Sequence, residues 1–138
     1  MNQEAPSLSV KPLGCQRATG SGQWRCAFEV TNQGKAPLQV LSTWLPHDQF
    51  FSERRSLEQP LLVEPGESAP LEVEVTFTGE PGVAVVNAFL IMQVEYGNQS
   101  WRMFVRLLPM MQPDGTPSVT CEAITVQPIG FSAAPHPG

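Results

Sequence analysis

The three cysteines are the residues whose spacing most directly suggests chemistry. A hairpin centred between Gly20 and Ser21 would place Cys15 opposite Cys26. Facing positions on neighbouring strands lie within the distance that a disulfide can span, so a cross-strand bridge is one interpretation and two small buried thiols are the other. Because the number of cysteines is odd, at least one thiol, which we expect to be Cys121, is free or bonded to another chain.

A metal site would need a cluster of ligands that the sequence does not supply. Copper-binding sandwiches use His, Cys and Met side chains, but His47 and His136 are far apart and neither has a short ligand spacing with Cys121. Met92 and Met103 occupy positions that suit core packing, a role for which methionine is well adapted. We therefore expect no metal and no cofactor, and a metal-binding sandwich is the weakest alternative.

Catalytic groups are also missing from the sequence. Nucleophilic hydrolysis requires a nucleophile, a base and an orienting group within reach, and the chain has no Gly-x-Ser-x-Gly motif. Glu72 and Glu74 alternate with Val73, as on the solvated face of a strand. The glycine-rich segment 20–22 lacks the lysine and the following helix of a phosphate loop. We predict that the protein is not an enzyme.

The elements that position these residues are β-strands. The segment 71–78 alternates strictly between apolar and polar residues, which predicts a half-buried strand. Fourteen prolines and eleven glycines would interrupt long helices, whereas an antiparallel sandwich uses such residues in its many turns. The patterns predict seven strands and an eighth alternating segment near the C-terminus, at 7–13, 23–32, 37–45, 59–64, 69–78, 84–96, 100–108 and 119–126.

The sixth and seventh predicted strands form a hairpin that carries apolar side chains on both of its faces. A two-residue turn at Gly97-Asn98 pairs positions 88–94 with 101–107, so that one face is continuously apolar. The opposite face nevertheless carries three large apolar side chains and an arginine: Phe89, Ile91, Phe104 and Arg106. Such a patch is either covered by another part of the chain or is a docking surface.

Two segments could provide that cover. The connection 46–58, which contains Phe50 and Phe51, is predicted to be a short helix or an irregular crossover. The segment 119–126 is predicted to be an edge strand or a tail that pairs with a partner. We divide the chain into a flexible N-terminus, a sandwich, a C-terminal extension and a flexible tail, at 1–6, 7–108, 109–131 and 132–138.

The charge of the chain argues against two classes of partner. The formal net charge is -5, and no basic cluster is larger than the pair Arg54-Arg55. Nucleic acids and anionic membranes attract basic patches, so we expect neither as a partner. The longest mostly apolar run, at 83–94, is shorter than the ~20 residues that a membrane helix needs.

Two turn motifs carry a resemblance to known folds. The segment 32–38, Asn-Gln-Gly-Lys-Ala-Pro-Leu, follows a strand, and the segment 62–68, Leu-Val-Glu-Pro-Gly-Glu-Ser, precedes the alternating strand. Both resemble motifs of bacterial-type immunoglobulin-like β-sandwich modules, in the cell-adhesion-related and major sperm protein-like groups. The resemblance implies an immunoglobulin-like antiparallel sandwich of seven to eight strands that acts as a binding or spacer module.

We therefore predict a non-catalytic protein-protein interaction module of a larger assembly. It would bind a protein or peptide through a sheet face or an edge strand, and the candidate contact residues are Phe50, Phe51, Phe89, Ile91, Phe104 and Arg106. One alternative is a peptide-binding domain that resembles the ear domains of vesicle-coat adaptors. Another is a passive structural spacer. The sequence gives no localisation.

Overall fold

A computed structural model describes residues 4–129, which form eight antiparallel strands and no helix. The strands are β1 (Leu8–Arg17), β2 (Gln23–Asn32), β3 (Leu38–Pro46), β4 (Phe50–Val63), β5 (Ser68–Phe77), β6 (Ala88–Tyr96), β7 (Gln99–Met111) and β8 (Pro117–Pro128). The all-β prediction is confirmed. The described residues contain no helix with the length and hydropathy needed to span a membrane.

The strands form one continuous sheet with the order β1-β2-β5-β4-β3-β6-β7-β8. The sheet curls so that its two end strands, β1 and β8, contact each other. The curl encloses a core of alternate residues from β1 to β7, and partly buried side chains of β8 pack against this core. In β5, for example, Leu71, Val73, Val75 and Phe77 are buried while the residues between them are exposed, as the alternation predicts.

The β6–β7 hairpin has the predicted register. Val94 faces Trp101, Met92 faces Met103 and Ala88 faces Leu107. The turn residues Gly97 and Asn98 have φ angles of 61° and 68°, the positive values that a type I′ turn requires. Strand β6 begins at Ala88 rather than at position 84, because residues 81 and 84 make only isolated bridges to the end of β7.

The prediction of a helical or irregular crossover at 46–58 was wrong. Residues 47–49 form a short turn, and β4 then runs back along β3 as the second strand of a hairpin. This strand is not evident from the sequence, because residues 53–56 are exposed on both faces and do not alternate between apolar and polar side chains. The pairing of β3 with β4 also shifts at two irregularities, which interrupts the pattern further.

The β2–β3 turn is held by two buried polar side chains. Asn32 is completely buried; its Nδ2 donates hydrogen bonds to the carbonyl oxygens of Ala36 (2.8 Å) and Val63 (2.9 Å). Its Oδ1 accepts a hydrogen bond from the backbone N–H of Gly34 at 2.9 Å. The Tyr96 hydroxyl accepts a further hydrogen bond from the backbone N–H of Lys35 at 3.0 Å.

The C-terminal segment 119–126 lies within β8, which pairs with β7 along its whole length. It therefore extends the sheet sideways instead of covering the outer face of β6 and β7. Of the predicted flexible N-terminus, residues 4–6 are described, and Pro6 is buried. The predicted tail at 132–138, including His136, lies outside the described residues.

Candidate functional site

The outer face of β3, β6, β7 and β8 carries an open groove. Trp44 pairs with Ile91, Ile91 with Phe104, and Phe104 with Thr125, so these four residues form a row across the four strands. The groove has a volume of about 430 Å³ and is lined by Pro46, His47, Asn87, Phe89, Ile91, Phe104, Thr125 and Gln127. It is open along the sheet surface and mixes aromatic walls with polar ends.

The structure brings most of the predicted contact residues to this face. Phe89, Ile91 and Phe104 line the groove, and all three are half-buried. The guanidinium carbon of Arg106 lies 4.9 Å from the centroid of the Phe89 ring, so the cation stacks at the edge of the groove. Phe51 is 39% exposed and pairs with Pro46, one of the lining residues.

Phe50 is the exception, and its assignment as a contact residue was wrong. Its side chain is completely buried, and its ring meets the Phe77 ring edge to face at a centroid distance of 5.3 Å. Adjacent residues of a strand point to opposite faces, so Phe50 faces the core when Phe51 faces solvent. The prediction grouped Phe50 with Phe51 because it assigned the segment 46–58 to a short helix or an irregular crossover instead of a strand.

Nothing in the described part of the chain covers the groove face. Both candidate covers are strands of the same sheet, with β4 beside β3 and β8 beside β7. The exposed surface also continues beyond the groove. Val86 is 61% exposed, and its carbonyl oxygen accepts a hydrogen bond from Nε2 of the lining residue His47 at 3.1 Å. The apolar surface thus extends from the sheet face onto the β5–β6 connection.

Several groove residues could not be found from the hairpin pattern alone. Thr125 and Gln127 line the groove, and Trp44 lies beside it as the strand partner of Ile91; all three belong to strands whose position next to β6 and β7 is a matter of sheet order. The alternation of side chains within β3 is the pattern that could have identified Trp44. Its neighbours Thr43 and Leu45 are buried, so Trp44 faces outward. His47 reaches the groove only because the β3–β4 turn is tight.

Three arginines on this face lack an acidic partner among residues 4–129. Arg102 and Arg106 occupy outward positions of β7, on either side of Phe104. Arg54 reaches the same face from β4, where its Nη2 donates a hydrogen bond to Oε1 of Gln93 at 3.3 Å. By contrast, Arg25 of β2 and Arg55 of β4 form exposed ion pairs with acids of β5. Arg25 contacts Glu72 and Glu74, and Arg55 contacts Glu74.

His47 is engaged in structure rather than free for ligand binding. Its Nδ1 accepts a hydrogen bond from the backbone N–H of Gln49 at 3.0 Å. The proton is then on Nε2, which donates to the Val86 carbonyl oxygen. Within residues 4–129, no three His, Cys, Asp or Glu side chains are grouped so as to hold a metal ion.

The cysteines lie away from the groove. Cys15 faces Cys26 in the β1–β2 register, and the two are joined by a disulfide. A bulge between Pro12 and Gly14 separates this register from that of the first half of β1, which would place Cys15 opposite Arg25 if it continued. Gly14 has a φ of 127°, which favours glycine at the bulge.

Cys121 is the third thiol, and we expect it to react slowly in the native protein. Burial raises the pKa of this thiol from 9.0 to about 11. The thiolate is the reactive form, so at pH 8 a pKa rise of two units lowers its population about 100-fold. Alkylation by iodoacetamide should therefore be at least that much slower in native than in denatured protein, with one thiol titrating per denatured, unreduced chain. A native rate equal to the denatured rate, or three titrating thiols, would contradict this arrangement.

The chain matches no protein-family model, and comparison with curated proteins finds no match.

Proposed function

We propose that the chain is a non-catalytic interaction module that binds a protein partner through the groove face, defined as the outer surface around Phe89, Ile91, Phe104 and Arg106. The observation that carries the proposal is the uncovered groove of about 430 Å³ at the centre of this face. Contiguous exposed apolar patches on soluble proteins commonly mark binding sites. The resemblance to binding modules in the turn motifs supports the same function.

We also propose that the sheet is an immunoglobulin-like sandwich. Strands β1, β2 and β5 would form one layer and β3, β6, β7 and β8 the other. The pairing of β4 supports this division, since β4 follows β3 for most of its length but meets β5 only at Phe50 and Phe51. A strand that passes between two layers would show such a split pairing.

The face is a better candidate than an edge strand. The available edges belong to β1 and β8, which contact each other at the closure of the curled sheet. Strand β1 carries a bulge at Leu13 and a proline at position 12, and both features oppose pairing with another strand. The groove face has no such protection.

Site-specific crosslinking in cells that naturally produce the protein tests the proposal. A photoreactive phenylalanine analogue at Ile91 or Phe104 should form an adduct with a discrete partner protein, because both side chains line the groove. The same analogue at Glu72, exposed on β5 beside Arg25 and away from the groove, is the matched control. Adducts at Glu72 as strong as those at the groove, or none at either groove position, would favour a passive spacer.

The variant Phe104→Glu separates binding from folding. The side chain is half-buried on the outer face, so we expect the adduct formed at Ile91 to disappear while the melting temperature stays nearly unchanged. If the variant does not fold, Phe104→Gln places a neutral polar group at the same position. Unfolding of both variants would show that Phe104 belongs to the core and would overturn the proposed face.

A further inference from the structure

The groove face has a pattern of charge and apolar surface that specifies the chemistry of its partner. Resting on the function proposed above, we propose that it binds an extended acidic peptide in which an apolar residue is flanked, two positions away on each side, by carboxylate residues. The occupant is thus a short linear segment of another protein with the pattern acid-x-apolar-x-acid.

The spacing along β7 sets this pattern. Arg102, Phe104 and Arg106 are successive outward residues of one strand. Residues two apart on a strand lie about 7 Å apart on the same face. An extended peptide lying along β7 has the same repeat, so its alternate side chains meet Arg102, Phe104 and Arg106 in turn. The middle side chain would enter the groove beside Phe104 and Ile91.

The charges on the face complement carboxylates. Although the chain has a net charge of -5, the outward positions of β6 and β7 hold Arg102 and Arg106 but only one acid, Glu95, near the β6–β7 turn. On β8, the exposed Glu122 lies at the bulge opposite Arg106 and Leu107 and makes no ion pair with Arg106. Arg102, Arg106 and the nearby Arg54 make no ion pair with the acids of residues 4–129. Arginine can bind a carboxylate through two parallel hydrogen bonds, so each unpaired guanidinium is a ready recognition group.

The surroundings of the arginines favour a specific contact over general attraction. The stacking of Arg106 on Phe89 holds its guanidinium beside an aromatic wall. Arg102 is half-buried and borders a second hollow with Trp44, Arg54 and Gln93. Apolar surroundings strengthen charge-assisted hydrogen bonds because they exclude competing water. A peptide with acids but no apolar residue would lose the groove contact.

Fluorescence anisotropy with a labelled peptide, Gly-Glu-Ser-Trp-Ser-Glu-Gly, tests the proposal on the full chain. We expect saturable binding that weakens about tenfold when one glutamate becomes glutamine, since each charge-assisted hydrogen bond contributes about that factor. Replacing the tryptophan with alanine should weaken binding similarly. Moving the glutamates next to the tryptophan, at unchanged composition, should also weaken it, because the repeat then no longer matches β7.

Charge-reversal variants of the protein provide the matched comparison. Arg102→Glu and Arg106→Glu should each weaken binding by tenfold or more, whereas Lys11→Glu, the same change in charge on exposed β1, should have little effect. If all three variants lose the same peptide affinity, binding depends only on the net charge of the protein, and the proposal is overturned. Restored binding of a peptide with lysines in place of glutamates to the double Arg102→Glu/Arg106→Glu variant would support the pairing even if that variant is less stable.

Other occupants give different results. Binding that appears only after residues 130–138 are deleted would show that the chain's own C-terminus occupies the groove and would overturn the proposal. A concentration-dependent dimer that Phe104→Glu abolishes would identify a second copy as the occupant. If the peptide fails to bind while groove-specific crosslinks still form in cells, the partner has another chemistry: the acidic peptide is excluded and the interaction function stands.

Discussion

Phe50→Ala should lower the free energy of unfolding by about 4 kcal/mol, the usual cost of removing a large aromatic side chain from a core. Phe50 is completely buried, and its ring packs edge to face on Phe77. The substitution leaves a cavity and removes that aromatic contact. For a domain of this size, the melting temperature should fall by about 14 °C. Urea unfolding followed by tryptophan fluorescence measures the free energy directly.

The neighbouring Phe51 is the matched control. Its side chain is 39% exposed on the opposite face of β4, so Phe51→Ala should change the unfolding free energy by less than about 1 kcal/mol. The same pair separates folding from binding, because Phe51 borders the groove through Pro46 whereas Phe50 does not reach the surface. Equal destabilisation by the two substitutions would contradict the orientation of β4.

Asn32→Ala should destabilise the protein by about 3 kcal/mol, because it removes three hydrogen bonds to backbone groups that have little access to water. The lost partners are the Gly34 N–H and the carbonyl oxygens of Ala36 and Val63. These bonds tie the β2–β3 turn to the end of β4. The measurement is again the unfolding free energy from urea titration.

Two further variants show whether hydrogen bonding is the cause. Asn32→Asp keeps the shape of the side chain but replaces the donor that serves two carbonyl oxygens, so we expect a loss at least as large at pH 7. Gln33→Ala alters an exposed side chain in the same turn and should have almost no effect. A small effect of Asn32→Asp would show that Asn32 stabilises the turn mainly by filling space.

Position 34 in this turn requires glycine, because Tyr96 leaves no room for a side chain there. A Cβ atom built on Gly34 would clash with the hydroxyl and ring of Tyr96. That hydroxyl is held in place by the N–H groups of Lys35 and Ala36. The Asn-Gln-Gly-Lys-Ala-Pro motif is therefore read correctly from the sequence as a turn, but its need for Tyr96, more than sixty residues away, is visible only in the structure.

Local patterns determined much of this protein. Alternation identified the buried face of β5, and the two-residue turn at Gly97-Asn98 fixed the pairing of β6 with β7. The position of the β1–β2 hairpin likewise indicated that Cys15 and Cys26 face each other. These features involve residues close in sequence, where the strand repeat and the turn geometry leave few alternatives.

Only the tertiary structure decided which strands lie beside the hairpin and what remains uncovered. The order β3-β6-β7-β8 places Trp44 and Thr125 in one row with Ile91 and Phe104, and it separates Phe50 from Phe51. Strand order depends on how distant segments pack together around the core, and no short-range pattern encodes it. The groove is therefore a product of the assembled sheet, and the sequence indicated only the part of it that lies on the β6–β7 hairpin.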